Sequence, residues 1–123
     1  MLIVPFAIFR ISGSLRGFGH AGEAATAVHL AAADAKNHVG ADAVVTGTVT
    51  GVHLSAAGTL FLDFGAAYPN QDFTAVIFAR DRSRFPAAGR MSGRLVQVTG
   101  RIDRFHSRPE MILRRPGQLR ILN

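Results

Sequence analysis

The stretch GRLVQVTGRIDRFHSRPEMIL, Gly93 to Leu113, decides the fold. Val96, Val98 and Ile102 alternate with Gln97, Thr99, Arg101 and Asp103, the two-residue period of a strand with one buried face. Apolar sequence resumes at Met111 to Leu113, so two strands flank a short basic and aromatic loop, Arg104 to Arg108. What that loop can touch depends on what the rest of the chain builds around it.

Upstream, the same punctuation repeats. Ala43 to Leu54 reads as a long strand, with Val45, Gly47 and Val49 on one side and Thr46, Thr48 and Thr50 on the other. Gly47 and Gly51 within it predict a bulge or a close backbone approach, as a strand curving around a small barrel needs. Ser55 to Gly58 is a turn, and Thr59 to Phe64 follows with Leu60, Leu62 and Phe64 facing one way, Phe61 and Asp63 the other. After a connection containing Tyr68-Pro69-Asn70, the run Asp72 to Arg80 is nearly all apolar, as suits a strand covered on both faces. Asp81 to Ser92 is polar and carries Pro86 and Gly89, enough for a helical turn. Arg94 to Phe105 and Pro109 to Arg114 complete five strands, and Gln118 to Leu122 extends an edge. A short helix ends over Asp34 to His38, with Gly40 as its terminator. The expectation is an all-β, five-stranded Greek-key barrel with a short N-terminal helix and a short helical connection between strands three and four.

Composition fits one domain. The 123 residues are 48% hydrophobic and include no cysteine, which excludes disulfides and thiolate metal sites. The net charge of +6 is unevenly spread. Eleven arginines against Asp81, Asp103 and Glu110 lie from Arg80 onward, whereas residues 1–79 are slightly acidic. Preference for arginine over lysine can come from codon usage, but codon usage does not crowd cations into one half. A basic half favours polyanions, meaning nucleic acid or an anionic membrane surface.

Residues 1–30 read as a leader or loosely attached segment, and 31–123 as the domain. The apolar run MLIVPFAIF covers nine residues, against the ~20 that a spanning helix needs. Ala25-Thr26-Ala27 has the small-x-small form of a cleavage site, but no basic residue precedes the apolar run, and export stays open. Gly17 to Gly22 matches GxGxxG, yet Pro5 interrupts the apolar run before it and no second strand–helix repeat follows, so a dinucleotide site is not expected.

Read together, VTGTVTGVH (Val45 to His53), GTLFLDFG (Gly58 to Gly65), YPNQDFTAVIFARDRSRF (Tyr68 to Phe85) and GRLVQVTGRIDRFHSRPEMILRRPGQL (Gly93 to Leu119), with AKNHVG just upstream, resemble small bacterial OB-fold nucleic-acid-binding, or DNA-binding, domain proteins. The likeness spans about residues 34–122. It implies the barrel more strongly than any activity, because OB-folds host unrelated functions. Relatives of this kind often carry an export leader.

Catalytic and metal chemistry find no pattern. The RLxGxDxPE-type stretch of barrel-sharing thermonucleases is missing, and Asp63 and Asp72 are separated by a turn. His20, His29, His38, His53 and His106 show no metal-ligand spacing, and neither a GxSxG elbow nor a GxxxxGK[ST] loop occurs. The expectation is a binder with neither catalytic apparatus nor cofactor.

An OB barrel holds its ligand across strands two and three, between the loops joining strands one to two and four to five. Those loops fall at His53 to Gly58 and at Arg104 to Arg108. Candidate nucleic-acid-binding residues are therefore Arg104 and Arg108 for phosphates, Phe105 and Phe61 for stacking, Arg101 beside them, and Tyr68 and Arg80 at the border. Three readings stand: single-stranded DNA or RNA binding with little sequence preference; an exported barrel for a small ligand, peptide or cell-envelope component; and an assembly module that meets a protein partner.

Overall fold

The computed structural model describes residues 27–123. The GxGxxG stretch and the apolar run before it lie outside those residues, as does most of the cleavage-site triplet.

The architecture is mostly β. Its strands are β1 (Val28–Ala31), β2 (Asp42–Leu54), β3 (Leu60–Gly65), β4 (Gln71–Ile77), β5 (Leu95–Arg101), β6 (Asp103–Phe105), β7 (Arg108–Ile112) and β8 (Leu119–Ile121). Short 3-10 helices occupy Ala32–Asn37, Ala79–Arg84, Ala88–Arg90 and Pro116–Gln118. The hydrogen-bonded order is β6-β7-β4-β3-β2-β5-β8, with β1 added parallel to β2. Five closed strands were expected; the sheet has eight and its ladder stays open between the β6–β7 and β5–β8 ends.

β2 organises the whole. Its first half, Asp42 to Thr48, pairs antiparallel with β5, and its second half, Val49 to Leu54, pairs antiparallel with β3. The register shifts between Val49 and Gly51, so the strand bends from one partner to the next. At Gly47 a Cβ would lie 3.1 Å from both Ala32 Cβ and Phe64 Cδ2. The absent side chain is what lets the 3-10 turn Ala32–Asn37 settle onto the strand.

Alternation drives the core. Val45, Val49, Leu62, Phe64, Phe73, Ala75, Ile77, Val96, Val98 and Met111 all point inward and are essentially buried. Phe64 and Phe73 meet with ring centroids 5.4 Å apart, tilted by 59°. Ile102 and Leu113, one residue beyond strand ends, join the same core.

Three expected boundaries move, each for a local reason. The strand predicted over Asp72 to Arg80 ends at Ile77, because Asp81 N–H donates to Phe78 O and Phe85 N–H to Arg82 O, turn bonds that replace the ladder. The strand predicted over Arg94 to Phe105 breaks at Ile102, whose N–H and C=O are taken by Ala41 O and Gly40 N–H. Beyond it, Asp103 to Phe105 leave β2 and pair with β7. The alanine-rich approach, expected as helix, contributes β1 and then only the 3-10 turn, ending before Gly40 at φ +96°.

The remaining seam is closed by a side chain. Gln118 is buried; its Nε2 donates to Thr99 O of β5 at 2.9 Å and its Oε1 accepts from Arg114 and Arg115 N–H at 2.8 and 2.9 Å.

Candidate functional site

Strand register places the candidate site on the outer face of β2, β3, β4 and β7. His53 opposes Phe61, and Phe61 opposes Val76, which opposes Ile112. One row along, Asp63 opposes Thr74, Thr74 opposes Glu110, and Glu110 opposes Asp103. Side chains directly opposite on one face are neighbours, so an aromatic–apolar row lies beside a polar and acidic one.

Two turns rise at the margin. The β2–β3 turn folds on Ser55, whose Oγ accepts from Thr59 N–H at 3.1 Å, with Gly58 in the left-handed region at φ +90°. The β6–β7 hairpin turns on His106 and Ser107 alone, at φ 52° and 65°. Two successive left-handed residues make the tight turn whose twist matches a hairpin, and Phe105 and Arg108 flank it as a cross-strand pair. The Gly65-to-Asn70 connection, with a cis bond before Pro69, presents Tyr68 from the third side.

These elements enclose a cleft of about 490 Å³, lined by His53, Phe61, Asp63, Tyr68, Gln71, Thr74, Phe105, His106, Arg108 and Glu110, with Ser55, Pro69 and Pro109 at its edge. The His53 ring stacks on Phe61 with centroids 4.8 Å apart and planes 13° apart, and Tyr68 approaches the same imidazole at 5.1 Å. His106 lies 4.0 Å from Phe105. Tyr68 and Phe105 are 65% and 57% exposed, large apolar surfaces that the fold leaves uncovered.

Beneath the rings runs a polar chain. Gln71 Nε2 donates to Thr74 Oγ1 at 3.2 Å, Thr74 Oγ1 donates to Asp63 Oδ1 at 3.3 Å, and His53 Nε2 lies 3.3 Å from Asp63 Oδ2. Asp63 is buried, and loss of solvation holds its carboxyl above the ordinary range, opposed by the His53 ring and the Thr74 hydroxyl. Glu110 is raised as well, first by burial and then by Asp103, with His106 acting against both. Arg108 Nη1 donates to Gln71 O at 3.1 Å, so this guanidinium is anchored at the cleft wall. Gln71 Oε1, also buried, has no hydrogen-bond partner among the described residues.

The structure brings together four of the seven sequence candidates: Phe61, Tyr68, Phe105 and Arg108. It separates the other three. Arg104 opposes Pro109 and so sits on the other side of the hairpin from Phe105 and Arg108. Arg101 is tied to Asp103 at 3.2 Å. Arg80 lies past the far end of β4, 6.0 Å from the Phe78 ring and 3.7 Å from Asp81. The cleft is thus aromatic, with a single arginine and two histidines beside two carboxyls, rather than uniformly basic.

Sequence reasoning missed His53, Asp63, Gln71, Thr74, His106 and Glu110. For His53 a signal existed: a turn over Ser55 to Gly58 sets it opposite Phe61. Glu110 and Gln71 depend on the parallel β4–β7 pairing, which no local pattern announces. Among the described residues, no group of three or more His, Asp or Glu is placed to hold a metal ion, and no helix is long and apolar enough to cross a membrane.

Compared with models of protein families and with curated proteins, the chain matches none. Among solved structures it is similar to the Schizosaccharomyces pombe Stn1–Ten1 complex, with a TM-score of 0.53 and 21% identity, over 67% of this chain and 58% of that one. It is also similar to a Leishmania major Friedlin protein assigned as an aspartyl-tRNA synthetase, with a TM-score of 0.53 and 11% identity, over 78% of this chain and 21% of that one. The chain spans less than two thirds of either neighbour's length. Together with the strand order, these likenesses make the fold OB-like.

Proposed function

We propose that this chain binds nucleic acid without catalysing its turnover, engaging single strands with little sequence preference. One observation carries the reading: the stacked His53–Phe61 pair and the exposed rings of Tyr68 and Phe105 converge with Arg108 in one cleft on the outer face of the sheet. Every base has a π-face, so stacking platforms accept any sequence, at roughly 1–3 kcal/mol per stacked base. The synthetase neighbour's name ties that protein to a tRNA, in keeping with such a ligand on this fold.

A binding rather than a catalytic role fits the polar chain. His53 and Asp63 resemble a base and its orienting carboxylate, but among the described residues no hydrogen bond joins His53 to the Ser55 hydroxyl, as a nucleophile–base pair has.

The test is fluorescence anisotropy with labelled DNA and RNA oligonucleotides over a salt series. Affinity is expected to fall as salt rises, because neutralised phosphates release counterions. Absence of binding at low salt overturns the reading. A second reading, an exported barrel for a small ligand or peptide, is favoured by the Asp63 and Glu110 carboxyls, which suit donor-rich or cationic groups better than phosphate. N-terminal sequencing of the natural protein from separated cell fractions discriminates: a mature start near Val28 outside the cytoplasm supports this second reading.

A further inference from the structure

Of the arginines predicted to serve the cleft, Arg80 lies past the other end of β4, and Arg82, Arg84, Arg114 and Arg115 gather near it. β4 and β7 run parallel, with Thr74 opposite Glu110 and Val76 opposite Ile112, and Leu113 N–H donates to Val76 O at 2.8 Å to continue the pairing. Alternation puts Thr74, Val76 and Phe78 outward on one strand line, and Arg108, Glu110, Ile112 and Arg114 outward on the other. One end of this outer face therefore carries Arg108 and the aromatic cleft; the other carries Phe78 and Arg114.

That second end is cationic. Arg84 Nη1 donates to Arg114 O at 3.1 Å, which brings the Ala79–Arg84 turn against the segment after β7. Asp81 in that turn is buried and lies 3.7 Å from Arg80 and 3.6 Å from Arg84, absorbing part of their charge. Arg82, Arg114 and Arg115 are exposed and, among the described residues, have no carboxylate partner. Arg80 stands over the half-buried Phe78 ring at 6.0 Å, a cation–π pair at the margin of the same face. Between the ends lies the apolar row of Phe61, Val76 and Ile112.

We propose that a bound single strand does not stop at the cleft but runs along β4 and β7, with its bases held at Phe105, Tyr68 and Phe61 and its phosphates meeting Arg82, Arg114 and Arg115. The inference rests on the cleft reading above. Charge complementarity selects the occupant: the cleft, with its two carboxyls, is poor in net positive charge, and the far end supplies what a polyanion needs. From Gln71 to Phe78 the rise of a strand covers on the order of 20 Å. A strand of that reach falls within the ~4–16 nucleotides that one OB fold engages.

The experiment compares labelled oligothymidylates of roughly 4 and roughly 12 nucleotides against the whole chain and two exposed-surface variants, with thermal melts confirming that each variant is folded. The longer oligonucleotide is expected to bind more tightly and with the steeper salt dependence. The triple variant Arg82→Ala, Arg114→Ala and Arg115→Ala is expected to lower the slope of log K against log salt by about 2 for the long strand, at about 0.7 per lost phosphate contact. It should leave the short strand unchanged. Phe105→Ala is expected to weaken both lengths. An unchanged slope in the triple variant, with the Phe105→Ala effect intact, overturns the extension alone. If Phe105→Ala affects neither length, the cleft reading falls and the extension with it.

Discussion

Gln118 Nε2 donates to the carbonyl of Thr99 at 2.9 Å, across the seam that the backbone ladder leaves open. The other end of the same amide accepts from Arg114 and Arg115 N–H, and Nε2 also reaches Ile112 O at 3.4 Å. A side chain thus takes the place of the strand pairing that would close a regular barrel. Gly100 makes room for it: a Cβ there would stand 3.0 Å from Gln118 Nε2 and 3.2 Å from Met111 Cγ.

Removing the amide strips partners from part-buried backbone groups on both sides of the seam. Gln118→Ala is expected to destabilise the fold by about 1–3 kcal/mol, the range for buried groups left unsatisfied. Urea denaturation with an unchanged m-value is the measurement. Gly100→Ala should act on the same seam through crowding, and the double variant should cost less than the two single costs together, because the shared contact can be lost only once.

How much of this was legible beforehand divides along sequence distance. Alternation in Val45 to Val49, Leu60 to Phe64 and Val96 to Val98 shows each strand and its buried face, because inward residues recur every second position whatever the partner. Gly47 and Gly51 announce the bend in β2 for a similarly local reason. The redirection at Ile102 does not announce itself, since Ile102 is as buried as its neighbours in phase and only its bonds to Gly40 and Ala41 end the strand. The OB loop mapping puts Arg104 on the ligand face, and strand alternation puts Arg101 there with it. A strand break between them and a two-residue turn after them decide otherwise, and both are tertiary facts.

The hairpin tip carries an avoidable strain. His106 and Ser107 both adopt positive φ, at 52° and 65°, where a Cβ crowds the backbone. Ser107→Gly is expected to stabilise the protein by about 1 kcal/mol, the order of the left-handed penalty for a residue with a side chain. Thermal or urea unfolding checks it. A loss of stability would show that the Ser107 side chain makes a compensating contact.

Glu110 gives the fold a pH dependence of definite sign. Burial and Asp103 raise its carboxyl above the ordinary glutamate range, with His106 opposing, so the native state holds this proton more tightly than the unfolded chain. Between the ordinary value and the raised native one, the folded protein binds more protons, and unfolding free energy falls as pH rises through that window. Asp63, its carboxyl likewise raised by burial, contributes with the same sign. Glu110→Gln is expected to flatten the decline and to be more stable than the parent above the window, as read from urea titrations at a series of pH values. A steeper decline in the variant would reverse the assignment.

Phe61 and Phe105 separate architecture from ligand binding. Phe61 is half-buried, stacked on His53 and in register with Val76, so truncating it disturbs the sheet's outer row as well as any stacked base. Phe105 is 57% exposed, and its recorded ring neighbour is the adjacent His106 at 4.0 Å. Little of the fold rests on it. Phe105→Ala is therefore expected to leave the melting temperature near that of the parent while weakening oligonucleotide binding by about 1–3 kcal/mol, roughly 5- to 150-fold. Phe61→Ala should lower both stability and affinity, and Phe61→Leu should recover the stability without the stacking. Equal affinity of the leucine variant and the parent would mean that Phe61 contributes apolar bulk rather than a ring face, leaving the exposed rings to hold the bases.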